Sequence, residues 1–269
     1  MGDSDLLLLY KVQAEGGDAP SQLMLGQTYY YGHHGVAIDY PKALQYLKMA
    51  AKQYPNYPKP KDVSENSFKQ LKFASSSACG MIGFMYARGE GVEIDYGLAQ
   101  EWFERGISQE NGVSFTWLGK MYLEGRGNVE RSYARGLKLL NEAVALGDAD
   151  GKAFLAEELM KMQDKDWTRI QTLLEASSRK GNVYSTYLLA RLLGDGTPDI
   201  PGDCYSALVK MKSFVERARF HDEAPKLAQQ SLAAKQKSSA LVYYIDAAER
   251  GYHVSQMNAA MLLDIGKFS

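Results

Sequence analysis

The chain has 269 residues, 45% hydrophobic and 23% charged, a composition that fits one large domain, two ordinary ones or a solenoid. Lys+Arg number 31 and Asp+Glu 32, so the net charge of -1 leaves no surplus of positive charge for phosphate, and no nucleic-acid partner is expected. No window reaches the roughly 20 apolar residues of a membrane helix, and Leu6 to Leu9 is only a short patch, so a soluble segment with no membrane span is expected.

Leu6 to Gly17 reads as the second helix of a repeat whose first helix is missing, closed by the helix-ending signal Glu15-Gly16-Gly17. Met1-Gly2-Asp3 lacks the basic and apolar regions of a signal peptide and reads as a start added to an excised segment. A helix then runs from Ser21 to Tyr31, followed by the turn Gly32-His33-His34-Gly35-Val36. A second helix from about Asp39 carries Ala43, Tyr46, Ala50 and Ala51 on one face. Pro55, Pro58 and Pro60 stop it, since proline lacks the amide and clashes with the preceding turn. Residues 52–77 read as an irregular, Pro-containing insertion, either a mobile spacer or a loop that meets a partner.

The helix-turn-helix pattern recurs. A second full unit carries Gly83, Tyr86, Gly89, Gly91, Val92, Asp95, Ala99, Trp102 and Gly106; a third places Gly119, Tyr122, Gly125, Gly127, Val129, Gly136, Leu139 and Ala143 in the same roles. Beyond Gly147 the motif decays while the period persists, through Ala156, Leu159, Ile170 and Ser177, then Ala190, Leu193, Gly196, Ile200, Asp203 and Ala207, then Ala240, Tyr243 and Ala247. Equivalent second-helix positions are Ala43, Ala99, Gly136, Ile170, Ala207 and Ala240, spaced by 56, 37, 34, 37 and 33 residues. The expected fold is all-α: one α-α superhelical solenoid over 1–269, of about six helix pairs with incomplete repeats at both ends.

These spacings have a physical reading. Close crossings need small side chains, which Gly26, Gly83, Gly119, Ala156 and Ala190 supply on first helices and Ala43, Ala99, Gly136 and Ala207 on second helices. Tyr29, Tyr86 and Tyr122, three places on, share nearly the same face. Gly89-Glu90-Gly91 follows a helix and carries an acid, whereas a phosphate loop follows a strand; its glycines are expected to end one helix and reverse the chain. Asp39, Asp95 and Asp203 are expected to cap second helices.

Chemistry-bearing constellations are lacking. His33 and His34 are adjacent rather than at helical metal-pair spacing, and His221 and His253 are isolated, so no metal, cofactor or catalytic site is expected. Cys79 and Cys204 are too few for a disulfide framework and are read as two buried thiols. Stacked first helices can bind instead. Residues one and four places after the small one form a stripe beside the packing face, including Tyr30, Phe84, Ala87, Lys120, Glu157 and Arg191. They either meet a partner or merely pack neighbours and face solvent.

The order Leu-Gly-x-x-Tyr-x-x-Gly-x-Gly-Val-x-x-Asp, completed by Ala-x-x-Trp or Tyr, resembles the Sel-1-like repeat, a relative of the tetratricopeptide repeat. It is carried by units beginning at Leu25, Ile82 and Leu118. Toward the C-terminus, Cys204-Tyr205-Ser206-Ala207, Val215-Glu216-Arg217, Ala248-Glu249-Arg250-Gly251-Tyr252 and Asn258-Ala259-Ala260 resemble one subfamily, the lumenal subunit of the HRD-type ubiquitin ligase. That resemblance implies a non-catalytic adaptor of endoplasmic-reticulum-associated degradation (ERAD). It further implies a lumenal part of a membrane-anchored protein, whose partners are a ligase subunit, a lectin and misfolded glycoprotein clients. A Sel-1-like scaffold in another compartment, in cytosolic signalling or the bacterial envelope, is the alternative. The absence of any Asn-x-Ser/Thr sequon and the length of the 52–77 insertion depart from the subfamily. Apolar faces on the incomplete end repeats, Leu6 to Leu9 and Met257 to Leu263, would allow end-mediated homodimers.

Overall fold

A computed structural model describes residues 3–52, 64–218, 228–229, 231–232, 237–249, 257–260 and 262, and among them all regular structure is helical. The elements are α1 (Asp3–Glu15), α2 (Ala19–Tyr31), α3 (Tyr40–Lys52), α4 (Glu65–Arg88), α5 (Tyr96–Ile107), α6 (Gly112–Glu124), α7 (Tyr133–Ala145), α8 (Ala149–Lys161), α9 (Trp167–Arg179), α10 (Val183–Asp195), α11 (Cys204–Ala218) and α12 (Lys237–Glu249). The chain divides into two compact units, 1–185 with 197–201, and 186–196 with 202–269.

The first unit is a run of antiparallel hairpins. α2 packs on α3, α4 on α5, α6 on α7 and α8 on α9, while α1 packs against α2. Each hairpin lies against the next through α3 and α4, α5 and α6, α7 and α8. The first helices α2, α4, α6 and α8 also contact one another in series. The unit is an α-α solenoid.

Small residues sit where the sequence places them. A Cβ on Gly26 would lie 2.7 Å from the Leu47 side chain, one on Gly83 2.6 Å from the Phe103 ring, and one on Gly136 2.5 Å from Leu123. Ala43, Ala99, Ile170 and Ala240 are fully buried. Large side chains, Phe103, Leu25, Leu47, Met85, Leu140 and Leu174, fill the space around these crossings.

Helix starts are capped from the side chain. Asp39, Asp95 and Asp203 accept hydrogen bonds from the amides of Lys42, Leu98 and Ser206 at 3.0, 2.9 and 3.0 Å. Ser132 and Asp166 do the same for α7 and α9. Each Asp amide in turn donates back across the hairpin: Asp39 to the Tyr29 carbonyl, Asp95 to Tyr86 and Asp203 to Leu193. Ser132 donates likewise to Tyr122. One residue therefore starts the second helix and ties it to the first.

The two glycines of each turn do different work. Gly32, Gly89 and Gly125 terminate α2, α4 and α6 in the left-handed region. Gly91 and Gly127, at φ 74° and 76°, also touch the preceding repeat: a Cβ would fall 2.5 Å from the Cβ of Tyr40 or Tyr96, the first residue of α3 or α5. Gly35, at φ 72°, has nothing within 4 Å. We therefore expect Gly35→Ala to cost about 1 kcal/mol, the left-handed penalty alone. Gly91→Ala adds overpacking against backbone atoms and is expected to cost roughly 2 to 4 kcal/mol. Urea denaturation of the two variants measures the difference.

The insertion is not irregular throughout. Residues 65–77, assigned to a loop by the sequence reading, form the first half of the 24-residue α4, capped by Ser64 accepting from the Ser67 amide at 3.1 Å. This stretch is polar but contains no Gly or Pro, and its Lys and Gln residues are good helix formers. Ala74 and Ala78 bury one face. Ser75 and Arg105 both donate to the Ala51 carbonyl, at 3.2 and 2.6 Å, and so serve an orphan acceptor at the end of α3. Pro55, Pro58 and Pro60 lie outside the described residues.

In the second unit, Leu188, Leu189, Ala190 and Leu192 of α10 are buried, the Tyr187 and Phe214 rings lie 5.2 Å apart, and Ala228, Ala240, Tyr244 and Ala259 form a cluster. His221 and His253 lie outside the described residues. Cys79 is buried, and that burial pushes its thiol up to about 11. Cys204, expected to be buried, is exposed because it opens α11 in its first turn. α1 exposes Leu8, Leu9 and Val12 while Leu7 and Tyr10 face the core.

Candidate functional site

The first helices meet their hairpin partners through the small residue and its neighbours, which leaves the adjacent stripe of each helix free. In the stacked order α2, α4, α6, α8 these stripes line up and form two adjoining grooves. One, of about 270 Å³, is lined by Tyr30 and Tyr31 of α2, Met81 and Phe84 of α4, Trp117 of α6 and Asp150 of α8. The other, of about 740 Å³, includes Lys120, Leu123, Phe154, Glu157 and Lys161.

An aromatic row joins the grooves. The Phe84 and Trp117 rings meet edge to face at 4.7 Å, and Trp117 meets Phe154 at 5.6 Å. Cations lie on the ring faces: Arg88 is 5.1 Å from the Phe84 centroid, and the Lys120 ammonium is 5.3 Å from Trp117 and 4.3 Å from Phe154. Glu90, the acid within the second glycine turn, reaches back to the previous repeat, where its Oε2 accepts from the Tyr30 hydroxyl at 2.5 Å while its Oε1 pairs with Arg88 at 3.0 Å. A turn residue thereby positions a groove residue one repeat away.

Titration at the groove is governed by burial. Burial, and then the hydrogen bond to Glu90, holds the Tyr30 hydroxyl well above the ordinary tyrosine range. Tyr31 is raised by burial and by the charges of Asp150 and Glu90. Asp150 is raised by burial first and by Asp148 second, against the hydrogen bond it accepts from Asn182 at 2.5 Å. A carboxyl raised on folding binds its proton more tightly in the native state, so its contribution to stability falls as pH rises through the window between the unfolded value and the folded one. Asp150→Asn is accordingly expected to retain the wild-type denaturation midpoint at pH 4 and to equal or exceed it at pH 7.

The structure brings together Tyr30 and Phe84 in one groove and Lys120 and Glu157 in the next. Glu157 is engaged by Lys161 at 3.2 Å. Ala87 lines neither groove; it packs against the cluster of Ala99, Phe103 and Leu118, because four residues past Gly83 the helix has turned back toward its packing face. Arg191 belongs to the second unit, exposed, 5.9 Å from the Tyr187 ring. Sequence reasoning missed Trp117, Phe154, Tyr31 and Asp150. Trp117 and Phe154 stand two places before Gly119 and Ala156, hence one helical turn before Lys120 and Glu157 on the same stripe, and extending the stripe backwards would have found them.

Among the described residues no group of three or more His, Cys, Asp or Glu could hold a metal ion, and no helix is long and apolar enough to cross a membrane. His33 lies in the turn, its ring stacked on Tyr31 at 5.3 Å.

The solenoid and its repeated turns define the class. Residues 19–54, 76–111 and 116–148 match the Sel1 repeat, the same three units that carry the motif. It is 26% identical over 223 residues to an uncharacterised Sel1-like repeat-containing protein of Schizosaccharomyces pombe, covering 82% of this chain and 33% of that one. It is 28% identical over 126 residues to HRD3B of Arabidopsis thaliana, an ERAD-associated E3 ubiquitin-protein ligase component, covering 46% of this chain and 16% of that one. The chain thus spans a third or less of the length of these curated relatives. In fold it is similar to a Sel1 repeat protein of Oxalobacter formigenes, with a TM-score of 0.60 at 22% identity, covering 80% of this chain and 79% of that one. Proteins built from such repeats are typically scaffolds for protein interaction rather than enzymes.

Proposed function

We propose that the chain is the adaptor portion of an ERAD ubiquitin-ligase complex, working in the endoplasmic reticulum lumen as part of a membrane-anchored protein. In this role it holds misfolded or glycosylated clients and a lectin near a membrane ligase of the HRD type. The observation that carries the ERAD part is the 28% identity to the plant ligase component. The scaffold part is supported by the aromatic and cationic row of α4, α6 and α8. Large rings held on rigid helices give binding area at low entropic cost, and such residues dominate interaction energies.

Affinity purification of the full-length protein from native membranes tests this reading. Recovery of ubiquitin-ligase subunits together with a lectin is the expected result. Recovery of kinases or envelope proteins without any ligase subunit would instead place the scaffold in another compartment and overturn the ERAD assignment.

A further inference from the structure

The smaller groove pairs an aromatic wall with a single charge. Its lining includes Tyr30, Tyr31, Phe84 and Trp117, and among the described residues its one charged lining residue is Asp150, with no Lys or Arg. One Asp150 oxygen accepts from Asn182 Nδ2 at 2.5 Å. The Lys120 charge, outside this lining, acts on Asp150 more weakly than burial and Asp148 do, so the carboxylate is still short of a compensating cation. A cation entering the groove would meet both the negative faces of the rings and the carboxylate. The neighbouring surface already uses this chemistry internally, with Arg88 on Phe84 and Lys120 on Trp117 and Phe154. At about 270 Å³ the space suits one long side chain and falls below the volume of a typical drug-sized site.

We propose that this groove receives a Lys or Arg side chain from an extended segment of a partner polypeptide, with the aliphatic stem among the four rings and the cationic head at the Asp150 carboxylate. The assignment rests on the reading of the chain as a protein-interaction scaffold, and it adds the chemistry of the residue recognised. Tyr31, 55% exposed at the C-terminal end of α2, stands at the edge of the site and shares its lining with Asp150 of α8.

The test uses the whole chain and a displayed library of random peptides. Selected peptides are expected to share a Lys or Arg at one fixed position. A synthetic peptide of the best sequence should lose roughly tenfold in affinity when that residue becomes citrulline or norleucine, and a similar factor against Asp150→Asn. Tyr31→Ala, a change outside the core, should weaken the basic peptide more than its citrulline form, so the assignment stands or falls even if Asp150→Asn compromises folding. Selected peptides with no basic preference, affinities indifferent to both variants, or no selected peptide at all would overturn it. Co-purification of ligase subunits by wild type and Asp150→Asn alike, with charge-indifferent peptides, would refute the basic-residue site and leave the adaptor reading standing. Failure to recover any ligase subunit, with peptide preferences as described, would do the reverse.

Discussion

Gly83→Ala is expected to destabilise the first unit by about 2 to 3 kcal/mol, although alanine is the better helix former by roughly 1 kcal/mol. The residue is helical, so the change ought to help on propensity alone. Packing reverses the sign, because the new Cβ would lie 2.6 Å from Cδ1 and Cε1 of Phe103 and 3.1 Å from the Ala99 carbonyl. Phe103 is fully buried and its ring is stiff, so α4 and α5 must move apart or the ring must leave its rotamer. The same geometry supplies a coupled test. Phe103→Leu alone leaves a cavity and costs about 1 to 3 kcal/mol. The double variant Gly83→Ala, Phe103→Leu should be more stable than the sum of the singles predicts by at least about 1 kcal/mol, since the methyl then occupies part of the vacated space. Urea denaturation of the four proteins gives that coupling energy. A value near zero would mean that the glycine is required for something other than close approach to Phe103.

Local rules made most of this legible in the sequence. The small residues at crossings, the left-handed helix ends and the aspartate caps each follow from one residue's backbone or side-chain chemistry, and all three recur at Gly83, Gly89 and Asp95. What escaped depended on relations between repeats. The second glycine of each turn looks like turn chemistry, yet Gly91 is held by contact with Tyr40 of the previous repeat. Polar residues 65–77 looked like loop because the contacts that hold them come from elsewhere in the chain: Ser75 reaches Ala51 of α3, and Lys72 pairs with Glu110 in the turn after α5. Asp150, at the start of α8, joins a groove whose remaining walls come from α2, α4 and α6, and no spacing within one repeat encodes that.

The candidate stripe was half visible for the same reason. Phe84 and Lys120 were found by counting forward from the small residue, while Trp117 and Phe154 required counting back one turn. Only stacking shows why both directions matter. α6 lies between α4 and α8, so Trp117 meets Phe84 of the preceding repeat and Phe154 of the following one. The row is continuous through Trp117 and breaks without it.

Trp117→Ala should therefore have two separable effects. It removes a half-buried indole from the cluster around Phe103 and Leu118, which is expected to cost about 2 to 3 kcal/mol of stability, less than the 3 to 5 kcal/mol typical of a fully buried ring. It also uncouples Phe84 from Phe154 and deprives Lys120 of one of its two ring faces, so partner binding should fall by at least about tenfold. Trp117→Phe separates the two contributions. A smaller ring retains apolar packing and edge contacts to Phe84 but presents a weaker π face. Its stability should lie within about 1.5 kcal/mol of wild type, while the preference for basic peptides should weaken. Thermal denaturation and peptide titration on the same preparations decide the matter. If Trp117→Phe loses stability yet binds basic peptides as wild type does, the indole serves packing alone and the groove's recognition must lie in Tyr30, Tyr31, Phe84 and Asp150.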